Sequence, residues 1–250
     1  MSKKKSVGEP LLISKKHIDY EDLEPHQRKA VNMFSDWFKS KKTKKSEMVF
    51  RLGGCAGTGK SFLIRYLIES NKFTQNDCYV VAYTGQAVNV LRQSGILAKT
   101  IHSTFMRTKE EPLLDEDGNE IIRRGVPVTR LKFTPIPYLP STVKLVICDE
   151  ASFLDEKMEK LMLRYNVPIL EVGDPVQLPP VSGKQCFYMD NLDIFMDTIM
   201  RQASDSEIVK LATSIRHYMP IDKREYGKDV KFMWAQPLSL IHISEPTRPY

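Results

Sequence analysis

The chain has 250 residues, 42% hydrophobic and 27% charged, enough for one large or two smaller domains with a substantial core. No apolar run approaches the ~20 residues of a membrane span, and the Lys3-Lys4-Lys5 start lacks the apolar stretch of a secretory signal, so a cytoplasmic setting with no membrane partner is expected. The net charge of +6 favours an anionic partner such as nucleic acid.

Cys55, Cys78, Cys148 and Cys186 lie far apart without a C-x-x-C pair, which predicts reduced thiols packed in a core rather than a zinc site or a disulfide framework. Residues 1–17 are polar and expected to be loose. From Pro25 the spacing of Ala30, Val31, Phe34, Trp37 and Phe38 predicts a helix, with Pro25 in its first turn. The cluster Lys39, Lys41, Lys42, Lys44 and Lys45 reads as a solvated loop, the alternative being a patch that binds an anionic partner.

Met48 to Leu52 predicts a strand, and Gly54 to Ser61, GCAGTGKS, follows it directly. A phosphate chain needs bare backbone N–H groups, which Gly54, Gly57 and Gly59 present without a Cβ in the way, and Thr58 completes the loop. Lys60 stands where it reaches the β- and γ-phosphates, and Ser61 where its hydroxyl holds a metal ion. ATP with Mg2+ is the expected pair. A helix is expected from Phe62 to Glu69, a second strand from Cys78 to Tyr83 and a helix from Gln86 to Gln93.

Between Phe105 and Thr142 the rhythm breaks. Asp115-Glu116-Asp117-Gly118-Asn119 lies between two apolar pairs, and five prolines run from Pro112 to Pro140. This predicts a hairpin turn in a small inserted β element. The acidic run lacks the glutamate that a calcium loop requires.

Lys144 to Cys148 predicts a third strand, ending in Asp149-Glu150. With a phosphate loop upstream, Asp149 is placed to hold the metal shell and Glu150 to orient and deprotonate an attacking water. The plainer alternative is that the acidic pair caps the turn at Ala151-Ser152. A helix around Glu156 to Tyr165 and a strand from Pro168 to Val172 follow. Strands alternating with helices predict an α/β fold with a parallel sheet covered on both faces and a site beyond the carboxyl ends of its strands. In Leu170 to Val181, LEVGDPVQLPPV, Gln177 is placed to reach a γ-phosphate.

At these residues the chain resembles the superfamily 1B DNA helicases, of the RecD-like and phage Dda-like branch. Leu23 to Gln27 resembles the family's adenine-reading motif, with Gln27 as the reader. Gly53 to Ser61, Asp149 to Ser152 and Leu170 to Val181 resemble motifs I, II and III, and Met200-Arg201-Gln202 with Ile208 to Arg216 resembles motif IV. The resemblance makes Arg201 an arginine finger for the γ-phosphate; otherwise it pairs with Asp205 or Glu207. Arg216 is otherwise a helix-end cation.

Thr84-Gly85-Gln86-Ala87 and Thr100 to Phe105 resemble the two strand-binding motifs, implying contacts to single-stranded DNA from Thr84, Gly85, Gln86, His102 and Phe105. Gln86 stands where relatives often carry a basic side chain. Without the resemblance, the threonines read as helix caps and Phe105 as core. The insertion at 106–142 resembles domain 1B, which in the family carries a β pin.

The resemblance therefore implies a RecA-like ATP-binding domain over 18–216, a linker or the start of a second domain over 217–237, and a monomeric motor that moves 5′ to 3′ along single-stranded DNA. A forked duplex is its expected full-length substrate. Leu238 to Arg248, LSLIHISEPTR, reads as a translated sequencing adapter, so 238–250 is expected to be non-native, the alternative being a short amphipathic tail. Because the resemblance implies a second RecA-like domain that does not appear before this tail, residues 1–237 are expected to bind nucleotide weakly without unwinding. Two other readings remain open: a PhoH-like ATPase or RNA helicase sharing the same phosphate chemistry, and a nucleic-acid-binding module without turnover.

Overall fold

The computed structural model describes residues 10–12, 17–198, 210, 211, 214, 215 and 219. Two compact units divide the chain, residues 1–199 and 200–250. In the second, 210–211 and 214–215 are helical and the Met219 N–H donates to the Ser214 carbonyl at 2.9 Å. Arg201, Arg216 and the expected tail at 238–250 lie outside the described residues, as does the expected linker except Met219.

The first unit begins with α1 (Pro25–Lys39), which buries Ala30, Val31 and Phe34 as their spacing predicts. Strand β1 (Val49–Gly54) leads through the phosphate loop into α2 (Lys60–Ser70). Next come β2 (Cys78–Ala82), α3 (Gly85–Gln93), β3 (Lys99–Thr100) and α4 (Ile101–Phe105). The insertion supplies β4 (Met106–Pro112), β5 (Ile122–Arg123), β6 (Val126–Pro127) and β7 (Thr129–Pro135). Then follow β8 (Leu145–Asp149), α5 (Glu156–Leu163), β9 (Ile169–Gly173) and β10 (Ile194–Met196).

Six of these strands form one sheet in the order β10-β1-β9-β8-β2-β3, and every neighbouring pair is parallel. Side chains alternate across it, so Leu145 and Ile147 pack with α1, α2 and α3 on one face, while Val146 and Cys148 pack with α4 and α5 on the other. Burial on both sides explains why the central strands read as unbroken apolar runs. The edge strands β3 and β10 are too short to leave such a signal.

Within the segment expected to be loose, residues 10–12 pack against the unit. Leu11 is buried, its carbonyl accepts from Leu97, and Pro10 and Leu12 make bridges to Thr74 and Ile96. In the insertion, β4 and β7 pair antiparallel from Met106↔Pro135 to Pro112↔Thr129. Asp115 Oδ1 accepts from the N–H groups of Asp117 and Asn119, closing the expected turn. A second tight turn at Arg124-Gly125, both at positive φ, joins β5 to β6.

Among the described residues no helix is long and apolar enough to cross a membrane. The four cysteines are free thiols, and burial pushes that of Cys148 well up, which leaves it unreactive.

Candidate functional site

Strands β1, β8 and β9 are neighbours, so their carboxyl ends bring three remote segments together. Beyond β1, Gly57 and Gly59 sit at φ 81° and 82°, conformations that a side chain makes costly, and they turn the chain into α2 at Lys60. At the end of β8 stand Asp149 and Glu150, and at the end of β9 Gly173 and Asp174. A cleft lined by Gly57, Gly59, Lys60, Ser61, Asp149, Glu150, Asp174 and Gln177 results.

The Lys60 ammonium donates to the carbonyls of Gly54 (2.7 Å) and Cys55 (3.0 Å). Burial lowers its pKa, and the carboxylates of Asp174, Asp149 and Glu150 pull it back up. Asp174 is the first of these, is almost wholly buried, and was not singled out by its sequence context. Its Oδ1 accepts from the Val176 N–H at 3.2 Å, and its carbonyl from the Gln177 N–H at 3.1 Å, which starts the descent to Gln177.

Burial pushes the Asp149 carboxyl up to about 6; the Glu150 N–H and Lys60 pull it down, while the Glu150 charge raises it. Glu150 itself is held at φ 57°, a left-handed conformation unusual for a side chain of its size and typical of functional turns. It opens the short turn Ala151–Phe153 without a side-chain cap bond. Gly173 lies against that turn: a Cβ there would sit 3.1 Å from the amide nitrogens of both Ala151 and Ser152. The Ser152 hydroxyl donates to Gln177 Oε1 at 3.4 Å, so the acidic pair and Gln177 are tied side by side.

Ser61 and Asp149 offer hydroxyl and carboxylate oxygens to the same cleft, a donor set that fits a hard divalent ion shared with substrate phosphates. No group of three His, Cys, Asp or Glu side chains able to cage a metal occurs among the described residues.

Two residues expected to make contacts are buried. Gln27, expected to read adenine, is fully buried: its Oε1 accepts from the Glu24 N–H at 3.0 Å and its Nε2 donates to the Thr58 carbonyl at 3.2 Å. These bonds fasten α1 to the phosphate loop. Phe105, expected against a DNA strand, is also fully buried, with its ring stacked 5.5 Å from Tyr165. It closes α4 onto the sheet, the plainer of its two readings.

The other strand-contact candidates are differently placed. Thr84 caps α3, its hydroxyl accepting from the Ala87 N–H at 3.1 Å, and Gly85 and Gln86 lie exposed in the first turn. Thr84 and Gln86 line a groove that shares Glu150 and Gln177 with the first cleft. His102 stands between two aromatic rings, with centroids 6.1 Å from Tyr83 and 6.0 Å from Phe133. Phe133 is half exposed on β7 and was not singled out by its sequence context.

The profile of the AAA domain family matches residues 23–229. ATP-dependent DNA helicase Dda of Enterobacteria phage T4 is 27% identical over 211 residues, spanning 80% of this chain and 44% of its own. ATP-dependent DNA helicase Pif1 of Campylobacter jejuni is 29% identical over 141 residues, spanning 52% and 28% respectively. The crystal structure of Pif1 helicase from Candida albicans matches at a TM-score of 0.45 and 21% identity, over 78% of this chain and 44% of that one. The chain thus spans less than half the length of these relatives.

Proposed function

Because this chain belongs to the AAA domain family, we propose that it is the nucleotide-binding motor unit of an ATP-driven DNA helicase. The observation that carries this is the convergence of Lys60, Ser61, Asp149, Glu150 and Gln177, from three remote segments, on one cleft. Two relatives named as ATP-dependent DNA helicases support the choice of substrate.

In this reading the N–H groups of Gly57, Thr58 and Gly59 and the Lys60 ammonium cradle the triphosphate. Ser61 and Asp149 hold magnesium, which supplies charge neutralisation on the phosphate oxygens. Glu150 orients a water for attack on the γ-phosphate and takes its proton. Gln177 senses the γ-phosphate and, through the groove it shares with Thr84 and Gln86, passes the difference between triphosphate and diphosphate to a bound strand. Single-stranded DNA lies along α3 and the Tyr83–His102–Phe133 rings, where bases stack without regard to sequence. Arg201 serves as the finger. The protein works as a monomer in the cytoplasm of a bacterial or phage-infected cell, on forked duplexes when full-length.

The test is nucleotide binding and DNA-stimulated hydrolysis, with single-stranded DNA and RNA compared. Lys60→Ala should abolish nucleotide binding and leave salt-sensitive strand binding intact. Stimulation by RNA alone, or nucleotide binding that survives the substitution, overturns the reading.

A further inference from the structure

The β4–β7 ribbon has two unlike faces, fixed by its register. Thr108 pairs with Phe133 and Glu110 with Leu131 on the face that reaches His102. The intervening pairs, Arg107↔Thr134, Lys109↔Lys132 and Glu111↔Arg130, project from the opposite face. Four exposed cations stand there with a single carboxylate, Glu111, which bonds Lys132 at 2.9 Å and also attracts Lys109 and Arg130.

Lys109 opposite Lys132 is the telling feature. Like charges directly across an antiparallel pair destabilise it, and a surface ribbon gains nothing in packing from keeping them there. Glu111 offsets part of that cost, but one carboxylate among four exposed cations leaves the face with an excess of positive charge, which points to a ligand of opposite charge.

We propose that this cation face binds the phosphate backbone of duplex DNA, independently of sequence and separately from the strand contact on the ribbon's other face. The inference rests on the motor reading above. Its choice of duplex follows from side-chain chemistry: single-strand sites interleave cations with aromatic rings on which unstacked bases lie. This face carries no aromatic residue, whereas the face with Phe133 does. Cations without rings suit a helix whose bases are already stacked inside and whose phosphates alone are presented.

The test compares a blunt DNA duplex with an oligothymidylate strand of equal length, across a salt series, on the whole chain. In Lys109→Gln/Lys132→Gln, duplex affinity should fall and the slope of log affinity against log salt should flatten by about 2. Oligothymidylate and nucleotide binding should be unchanged, and the thermal midpoint should change little, because relief of the facing charges offsets the lost Lys132–Glu111 pair. Arg107→Gln/Arg130→Gln provides an independent second pair with the same expectation. Phe133→Ala should do the reverse, weakening oligothymidylate and sparing the duplex. An unchanged duplex slope in both double variants, an equal loss on duplex and single strand, or a preference for duplex RNA overturns the proposal. A wild-type chain that binds nucleotide and oligothymidylate but ignores the duplex overturns it alone. Lysine-dependent duplex binding by a chain that binds no nucleotide supports it and defeats the motor reading instead.

Discussion

The Gln27 amide donates to the Thr58 carbonyl at 3.2 Å, so α1 holds the phosphate loop from behind. The contact is fully buried and joins residues 31 apart. Replacing Gln27 with Leu leaves that carbonyl without this donor in an apolar setting, at a cost of about 1–3 kcal/mol. Urea denaturation should show that loss, and nucleotide affinity should fall with it. Unchanged stability would mean that the loop holds its shape without α1.

Gly173 admits no side chain without moving the acidic turn. In Gly173→Ala the new Cβ meets two backbone nitrogens rather than a flexible side chain, so the turn at Ala151 and Ser152 must shift. A destabilisation of about 1–3 kcal/mol is expected, together with slower hydrolysis, because Glu150 begins that turn. Retained stability and turnover would show that the turn yields freely.

Glu150→Gln keeps the size of the side chain but cannot accept a proton. Nucleotide binding should persist while hydrolysis, measured in a single turnover, falls at least ~100-fold. Equal loss of binding and hydrolysis would assign Glu150 to the cradle rather than the chemistry.

A pH dependence should arise away from the cleft. Glu171, wholly buried on β9, lies 3.0 Å from Arg51 on β1, and Arg51 also bonds Glu159. Burial pushes the Glu171 carboxyl up to about 8, against the attraction of Arg51. The folded protein therefore keeps a proton that the unfolded chain releases near 4.5. Stability attributable to this group is full below that value and declines as pH rises toward about 8, by up to ~1.4 kcal/mol per pH unit. Denaturation midpoints should fall more steeply with pH in the wild type than in Glu171→Gln, and parallel slopes would contradict the assignment.

Thr84 offers a test between cap and contact. Thr84→Ala should cost about 1 kcal/mol through the lost bond to Ala87, and Thr84→Ser should restore it. If the hydroxyl also meets a DNA phosphate, strand affinity follows the same pattern. Strand affinity indifferent to both substitutions leaves Thr84 as a cap alone.

The sequence by itself determined the phosphate loop and the central strands. Both are contiguous: the loop needs glycines and Lys60-Ser61 at fixed local spacing, and a strand buried on two faces must be apolar throughout. It also marked Asp149, Glu150 and Gln177 as chemical candidates, because each follows a strand end. Tertiary structure alone decided which candidates line one cleft. Gln27 and Phe105 were drawn into the core by partners remote in sequence, Thr58 and Tyr165, while Asp174 was brought to Lys60 because β9 lies beside β1. Phe133 and the facing lysines of the ribbon gained their settings from strand register. Periodicity tells which residues share a strand face, but only the pairing of distant segments tells what that face meets.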